Sequence, residues 1–482
     1  MPKSHLRIFL LMLFCLMKAE FAMADHPVKV MTLAIIGADK TKSWVVLREL
    51  NFKRGDMIEL EEVEARLEKS RQNIYNLGLF NDVQMKAQVI GDQLHVIIEV
   101  KERWFVFGAP ILRLEERNTY DIVNTIRERN FRRLVYGLNV SWRNITGRNE
   151  TLTFSGQLGF SKRLRIDFLR PAMFRKSNVD LRFGYRFINE KEIIVGTNEG
   201  AVQWRGTETE PFQVSHEPFI AIRKRISLYE NLYFEMNYKW LSFSDSLYVL
   251  EIDPSRNNFI TELDGKEAYP SFILQYTVDR RDIRRFPLKG FKYQFFGRFT
   301  GIKGISSSQF GKLGLTFAHH IPLSKRWNFA YGTHLVLSIG DSIPYFEKNF
   351  IGVKRREFLG ISTNLRGYQP FVIAGSAVNM NKAEIKYGII PYHIADLSGV
   401  GFLPKKWKQS PSALYVTAFY ELGFVRDDSF NNNDDFLKNQ LLHGYGVGLN
   451  IVGFYDILLR LEYARNHLNQ GGVYLHGSVP IK

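Results

Sequence analysis

Cysteine is nearly absent: the 482-residue chain has one, Cys15. It lies in the apolar run Ile8–Met17, with Lys3 and Arg7 before it and Ala22-Met23-Ala24 after it. A cationic start, a short apolar stretch and a small-residue exit make a secretory signal peptide, so residues 1–24 are expected to be removed. Those ten apolar residues are too few for a membrane helix, which needs about 20. Phe14 precedes Cys15, where a lipid-attachment site requires a small residue. The mature chain is then cysteine-free, which excludes disulfides and thiol chemistry.

Long apolar runs are also missing. No later segment reaches about 18 consecutive apolar residues, so no transmembrane helix is expected. The signatures of common chemistry are absent too: no G-x-S-x-G elbow, no H-E-x-x-H, no P-loop and no G-x-G-x-x-G opening a helix. No enzymatic activity, cofactor or metal is therefore expected. His319 and His320 are adjacent, and on a strand they point to opposite faces. Asp279 and Asp282 lie among Arg280, Arg281, Arg284 and Arg285, which favours a turn laced with ion pairs over a calcium site. Asn431–Asp435 holds calcium-type ligands but reads as a solvated loop.

Acidic residues fall short of basic ones, 49 against 65, for a net charge of +16; Lys3, Arg7 and Lys18 against Glu20 account for +2 of it. The basic residues are scattered between aromatics along strand-like runs. Nucleic acid is therefore not the expected partner, and anionic lipid headgroups are. Aromatics are plentiful at 14%, with 38 Phe and 22 Tyr, residues that favour strands and membrane interfaces.

Two regions differ in periodicity. Residues 25–103 read as a small α+β unit in the order β-α-α-β-β. The elements are a strand over Val28–Ile36, a helix over Ser43–Leu50, a turn at Arg54-Gly55-Asp56, a helix over Leu60–Leu77, and strands Val83–Val89 and Gln93–Val100 joined at Gly91-Asp92. From Trp104 onward helical spacing disappears and short alternating runs take over. In Tyr455–Tyr463 the odd positions are apolar, while Asp456, Arg460 and Glu462 share the other face. Such runs start near 134, 150, 163, 179, 201, 215, 230, 268, 290, 308, 328, 377, 412, 445, 455 and 474. That even count of 16, with export and no membrane helix, points to an outer-membrane barrel over a soluble sandwich.

Leu47-Arg48-Glu49-Leu50, Arg54-Gly55-Asp56 and Asn76–Val83 (NLGLFNDV) resemble a POTRA (polypeptide-transport-associated) domain. Leu365-Arg366-Gly367-Tyr368 resembles the V-R-G-F/Y motif of the BamA-like outer-membrane assembly and translocation superfamily. Tyr276–Asp282 with Pro287 and Gly290, and the closing strands Gly444–Ala464, match it as well. The likeness covers nearly the whole mature chain. Only one POTRA fits where such factors usually carry several, and Glu102–Phe105 and Asn144–Arg148 look most like a short branch of the family.

The resemblance implies an all-β transmembrane barrel of 16 antiparallel strands with a small N-terminal α+β POTRA domain. The expected division is signal peptide 1–24, POTRA domain 25–103 in the periplasm, and barrel 104–482 in the bacterial outer membrane. It also implies a non-enzymatic assembly factor that folds and inserts β-barrel proteins; the alternative is a translocation pore exporting a dedicated protein substrate. Expected partners are unfolded outer-membrane protein clients, outer-membrane lipids and accessory lipoproteins.

About 38 residues separate Ser338 from Ala377, far beyond a hairpin loop of two to five. In the family resembled, this loop folds into the lumen and its arginine pairs with acids of the inner wall. The matching positions here are Glu384 and Glu421. An arginine fork shared between carboxylates in a confined space fixes a loop in one register, so Arg366 is expected to act as a peg, with Tyr368 and Phe371 as apolar anchors.

Overall fold

The computed structural model describes residues 27–114, 131–173, 178–198, 201–206, 210–244, 265–284, 286–340, 343–352, 364–369, 371–399, 409–427, 437–453 and 457–478. Residues 1–24, expected as a signal peptide, and Asn431–Asp435 lie outside these residues. The chain divides into two compact units, residues 1–103 and 104–482.

In the first unit, β1 (Pro27–Ile36), α1 (Ser43–Leu47), β2 (Met57–Glu59), a 3-10 turn (Leu60–Glu62), α2 (Val63–Asn76), β3 (Phe80–Ile90) and β4 (Gln93–Glu102) follow in order. The sheet order is β2-β1-β4-β3, with β1 parallel to β4. Val45 and Val46 of α1, Ile74 of α2, and Val30, Val96 and Ile98 of the sheet are all fully buried and make up this unit's core. Each such side chain contributes about 1.5–3 kcal/mol relative to leaving it exposed. Strand β2 is a correction to the expected order. It has three residues, too few to show alternation, and pairs Pro27–Lys29 of β1. Both helices are also shorter than expected, because α1 stops at Leu47 and the stretch before Val63 winds as a 3-10 turn.

The second unit comprises β5 (Val106–Leu114), β6 (Leu134–Arg143), β7 (Thr151–Gly159), β8 (Ser161–Arg170), β9 (Val179–Glu190), β10 (Glu192–Asn198), β11 (Ala201–Gly206) and β12 (Gln213–Arg225). It continues with β13 (Glu230–Phe243), β14 (Lys266–Asp279), β15 (Gly290–Thr300), β16 (Phe310–Pro322), β17 (Trp327–Ile339), β18 (Asn349–Ile351) and β19 (Ile373–Gly375). The closing strands are β20 (Ala377–Asp396), β21 (Gln409–Arg426), β22 (Leu441–Gly453), β23 (Ile457–Asn466) and β24 (Gly471–Ser478).

Sixteen strands form one antiparallel sheet in the order β24-β23-β22-β21-β20-β17-β16-β15-β14-β13-β12-β9-β8-β7-β6-β5. The membership differs from the sequence reading in two strands that offset each other. β5 was not expected, because Gly108 and Pro110 interrupt its apolar alternation. The run near 201 is β11, which pairs only with β10 in a separate two-stranded hairpin.

Alternation orients the wall. In β15, Phe291, Tyr293, Phe295 and Phe299 face out, whereas Lys292, Gln294, Arg298 and Thr300 face in. At the rim that carries the short turns, Tyr293 stacks on Phe317 at 4.8 Å, and Phe291 and Tyr331 extend the group into an aromatic girdle. The inner wall holds ion pairs instead, such as Arg186–Glu217 and Arg223–Asp180, both at 2.5 Å. No described helix is long and apolar enough to cross a membrane.

Candidate functional site

Between β17 and β20, the described residues 343–352, 364–369 and 371–376 include side chains that lie against the inner wall. β18 pairs with β19 (Asn349↔Gly375, Ile351↔Ile373), which makes a short ribbon within the loop. Ile351, Leu365, Tyr368, Phe371 and Ile373 pack against the inner-wall residues Val378, Met380, Val425 and Leu442, together with Leu437. This apolar patch seats the loop against β20–β22.

The motif itself is a tight turn: Tyr368 N–H donates to the Leu365 carbonyl at 3.1 Å. Gly367 has φ +88°, and a Cβ there would stand 3.0 Å from the Arg465 carbonyl carbon. Only glycine meets both conditions at low cost. The wall yields in the same way, since a Cβ on Gly444 would come within 2.0 Å of the Arg366 carbonyl oxygen.

The turn aims Arg366 at three carboxylates. Nε donates to Glu421 at 2.6 Å, Nη2 to Glu384 at 2.5 Å and Nη1 to Glu462 at 2.9 Å. The Arg366 backbone N–H adds a bond of 2.8 Å to the other Glu421 oxygen. The guanidinium carbon sits 3.7 Å from the Phe419 ring centroid, a cation–π contact. Glu421 is fully buried and Arg366 is 6% exposed, so water screens these charges little. Lys382 (3.5 Å from Glu421), Lys386 (3.4 Å from Glu384) and Arg460 (3.8 Å from Glu462) balance the acids that one arginine cannot neutralise.

The neighbouring motif residues latch elsewhere. Tyr368 Oη donates to the His443 carbonyl at 3.1 Å and also meets His467 Nδ1, while Asn466 Nδ2 donates to the Gly367 carbonyl at 2.9 Å. The loop tip is thereby fastened to the turn between β23 and β24.

The structure brings Arg366, Glu384 and Glu421 together, and it adds Glu462, which the sequence reading did not assign. The signal was present: alternation in β23 set Glu462 on the polar face with Arg460. What alternation could not show is that β23 stands two strands from β21, within reach of the same guanidinium. Elsewhere, β16 places His319 outward beside Tyr331 (3.3 Å) and His320 inward. Asp279 pairs with Arg281 at 2.8 Å, whereas Asp282 accepts from the turn N–H groups of Ile283 and Leu288. Among the described residues no three His, Cys, Asp or Glu side chains gather as metal ligands.

A strand-built wall with an apolar outer face, an ion-paired inner face and a loop pegged inside defines a transmembrane β-barrel of the outer-membrane type. A model of the Omp85 superfamily domain matches residues 144–470, and a POTRA model described as a surface antigen variable number repeat matches residues 28–103. The chain belongs to the Omp85 superfamily, whose POTRA-bearing barrels are bacterial outer-membrane proteins of assembly or transport.

Three solved structures share the fold. BamA from Haemophilus ducreyi lacking POTRA domains 1–3 has 15% identity and TM-score 0.51, covering 94% of this chain and 84% of that one. CdiB from Escherichia coli has 12% identity and TM-score 0.54, covering 94% and 76%. CdiB from Acinetobacter baumannii has 13% and 0.51, covering 94% and 74%. A comparison with curated protein sequences returned no match.

Proposed function

We propose that this protein is an outer-membrane assembly factor that helps nascent β-barrel proteins fold and insert. One observation carries the reading. The sheet order starts at β24 and ends at β5, and among the described residues no ladder joins the two. A sheet edge that no ladder closes among the described residues can template an incoming strand. β5 also holds Pro110, which has no N–H to give to a ladder.

The fastened loop occupies part of the lumen beside β20–β23, which favours a lateral route over an axial one. In the first unit, β3 forms a sheet edge of 11 residues, with Val89 and Ile90 exposed near its end, and suits capture of an unfolded strand by β-augmentation. The reading places residues 25–103 in the periplasm after loss of a signal peptide at 1–24, and residues 104–482 in the membrane. Unfolded outer-membrane proteins are the clients, with outer-membrane lipids and accessory lipoproteins as further partners.

A translocation pore dedicated to one exported protein is the second reading. It is favoured by the single POTRA-like unit, which limits the docking surface for accessory subunits. Depletion followed by quantitative comparison of outer-membrane and secreted proteins separates the two. A broad fall in barrel proteins is the expected result; loss of one secreted product with barrels intact would sink the assembly reading.

A further inference from the structure

The loop that carries Arg366 has a second charged end. Glu347 closes the 3-10 turn Tyr345–Glu347 and is buried against the wall on the far side of β17. Its Oε1 accepts from Lys239 of β13 at 2.7 Å and from Tyr269 of β14 at 3.0 Å. Its Oε2 accepts from Arg298 of β15 at 3.0 Å and lies 3.9 Å from Lys312 of β16, whose ammonium also donates to the Glu347 carbonyl. Phe346 packs beside it with Leu241, Phe243 and Tyr269.

This arrangement inverts the charges of the Arg366 site. There a loop cation meets three wall carboxylates; here a loop carboxylate meets three wall cations. The two ends are joined by the β18–β19 ribbon, and Asn349 Nδ2 adds a bond of 2.9 Å to Ser338 Oγ of β17. The contacts run strand by strand: Lys239 on β13, Tyr269 on β14, Arg298 on β15, Lys312 on β16, Ser338 on β17, Glu384 on β20, Glu421 on β21, His443 on β22 and Glu462 on β23. These are nine consecutive members of the sixteen-stranded sheet. The other seven, β24, β5–β8, β9 and β12, carry none of these polar anchors; near β9 and β12, Phe346 shares an apolar cluster with Ile193 of β10 and with Phe212.

We infer that Glu347 is a second, oppositely charged anchor, and that the doubly anchored loop clamps β13–β23 into one rigid arc, confining motion to the strands flanking the β24/β5 edges. Release of either end frees only the strands it holds. The inference concerns how the wall moves, and it stands whether the barrel inserts clients or exports one.

Hydrogen–deuterium exchange on the full protein in lipid nanodiscs tests it, with heat-modifiable gel migration showing that each variant is folded. Glu347→Gln is expected to speed exchange in β13–β16 roughly tenfold and to leave β20–β23 protected. Arg366→Gln is expected to do the reverse, and the double variant to loosen both groups. Glu347→Asp keeps the charge on a shorter arm and is expected to give an intermediate rate in β13–β16. It serves as the measured variant should Glu347→Gln fail to fold. Unchanged exchange in β13–β16 of a folded Glu347 variant, or loosening spread evenly over all sixteen strands, overturns the inference.

Discussion

Strand β4 of the small unit and strand β15 of the large sheet use the same two-residue alternation and bury opposite halves of it. In β4, Leu94, Val96, Ile98 and Val100 turn toward the helices and lose contact with water. In β15 the phenylalanines face outward, with Phe295 49% exposed, while Gln294 is enclosed. Period two fixes which residues share a face, but the medium decides which face is buried. Charges divide in the same way. At the start of α2 and along it, Arg66–Glu62 and Arg71–Glu68 are half-exposed pairs of neighbouring turns, the kind worth about 0.3–0.5 kcal/mol. In the lumen, Arg366, Glu421 and Glu462 are shut away from solvent while Glu384 is partly exposed, so losing the arginine strands at least two enclosed carboxylates.

The largest effect should come from the enclosed charges. Arg366→Ala leaves Glu384, Glu421 and Glu462 without their shared fork, at a cost of about 3–5 kcal/mol where burial is complete. The folded barrel should then lose its heat-resistant gel migration at a clearly lower temperature. Arg366→Lys should recover only part of the loss, because an ammonium cannot fork to several carboxylates. Full recovery with lysine would contradict the geometry of the site.

The next test compares two outward-facing apolar residues. Phe295→Arg puts a charge on the lipid-facing wall and should cost about 2–4 kcal/mol near the bilayer midplane. Ile97→Arg, on the water-facing side of β4, should stay within about 0.5 kcal/mol. Denaturant titrations of both variants in lipid vesicles decide the matter, and equal tolerance would mean that the two outer faces meet the same medium.

The smallest effect is electrostatic and lies in the small unit. Arg71, through its hydrogen bond to Glu68, holds that carboxyl below its usual range against partial burial, which pushes it up. A carboxyl with a lowered folded-state pKa stabilises the fold above its unfolded-state value, and that contribution is lost as pH falls through the folded-state value. Glu68→Gln should therefore cost a few tenths of a kcal/mol near neutral pH, and the difference from the parent protein should vanish in acid. Thermal unfolding followed at both pH values would falsify this by showing a constant gap.

Much of this was legible in the residues, for reasons that particular elements make plain. β23 declared its polar face through Arg460 and Glu462, because its alternation is strict. β5 stayed hidden because Gly108 and Pro110 remove the β-branched and aromatic signal that marks a strand. β11 misled because a hairpin standing off the sheet alternates as well as one within it; pairing partners are not written in a single strand. The loop motif came from resemblance, and its matching acids came with it. Glu347 could not be found that way, since its three cations lie on three separate strands, β13, β15 and β16, between 35 and 108 residues away along the chain. The glycine at 444 likewise shows its purpose only once the Arg366 carbonyl is seen pressed against it.

Pro110 bears on how the molecule treats its own kind. A crowded membrane brings identical barrels edge to edge, and two copies of β5 could in principle begin a ribbon. Copies related by a two-fold axis each bring the same missing donor, so the gap is met twice whatever the register. A foreign strand is free to choose its register and meets the gap once. A single imino acid thus biases the open edge against self-association while leaving it available to strangers.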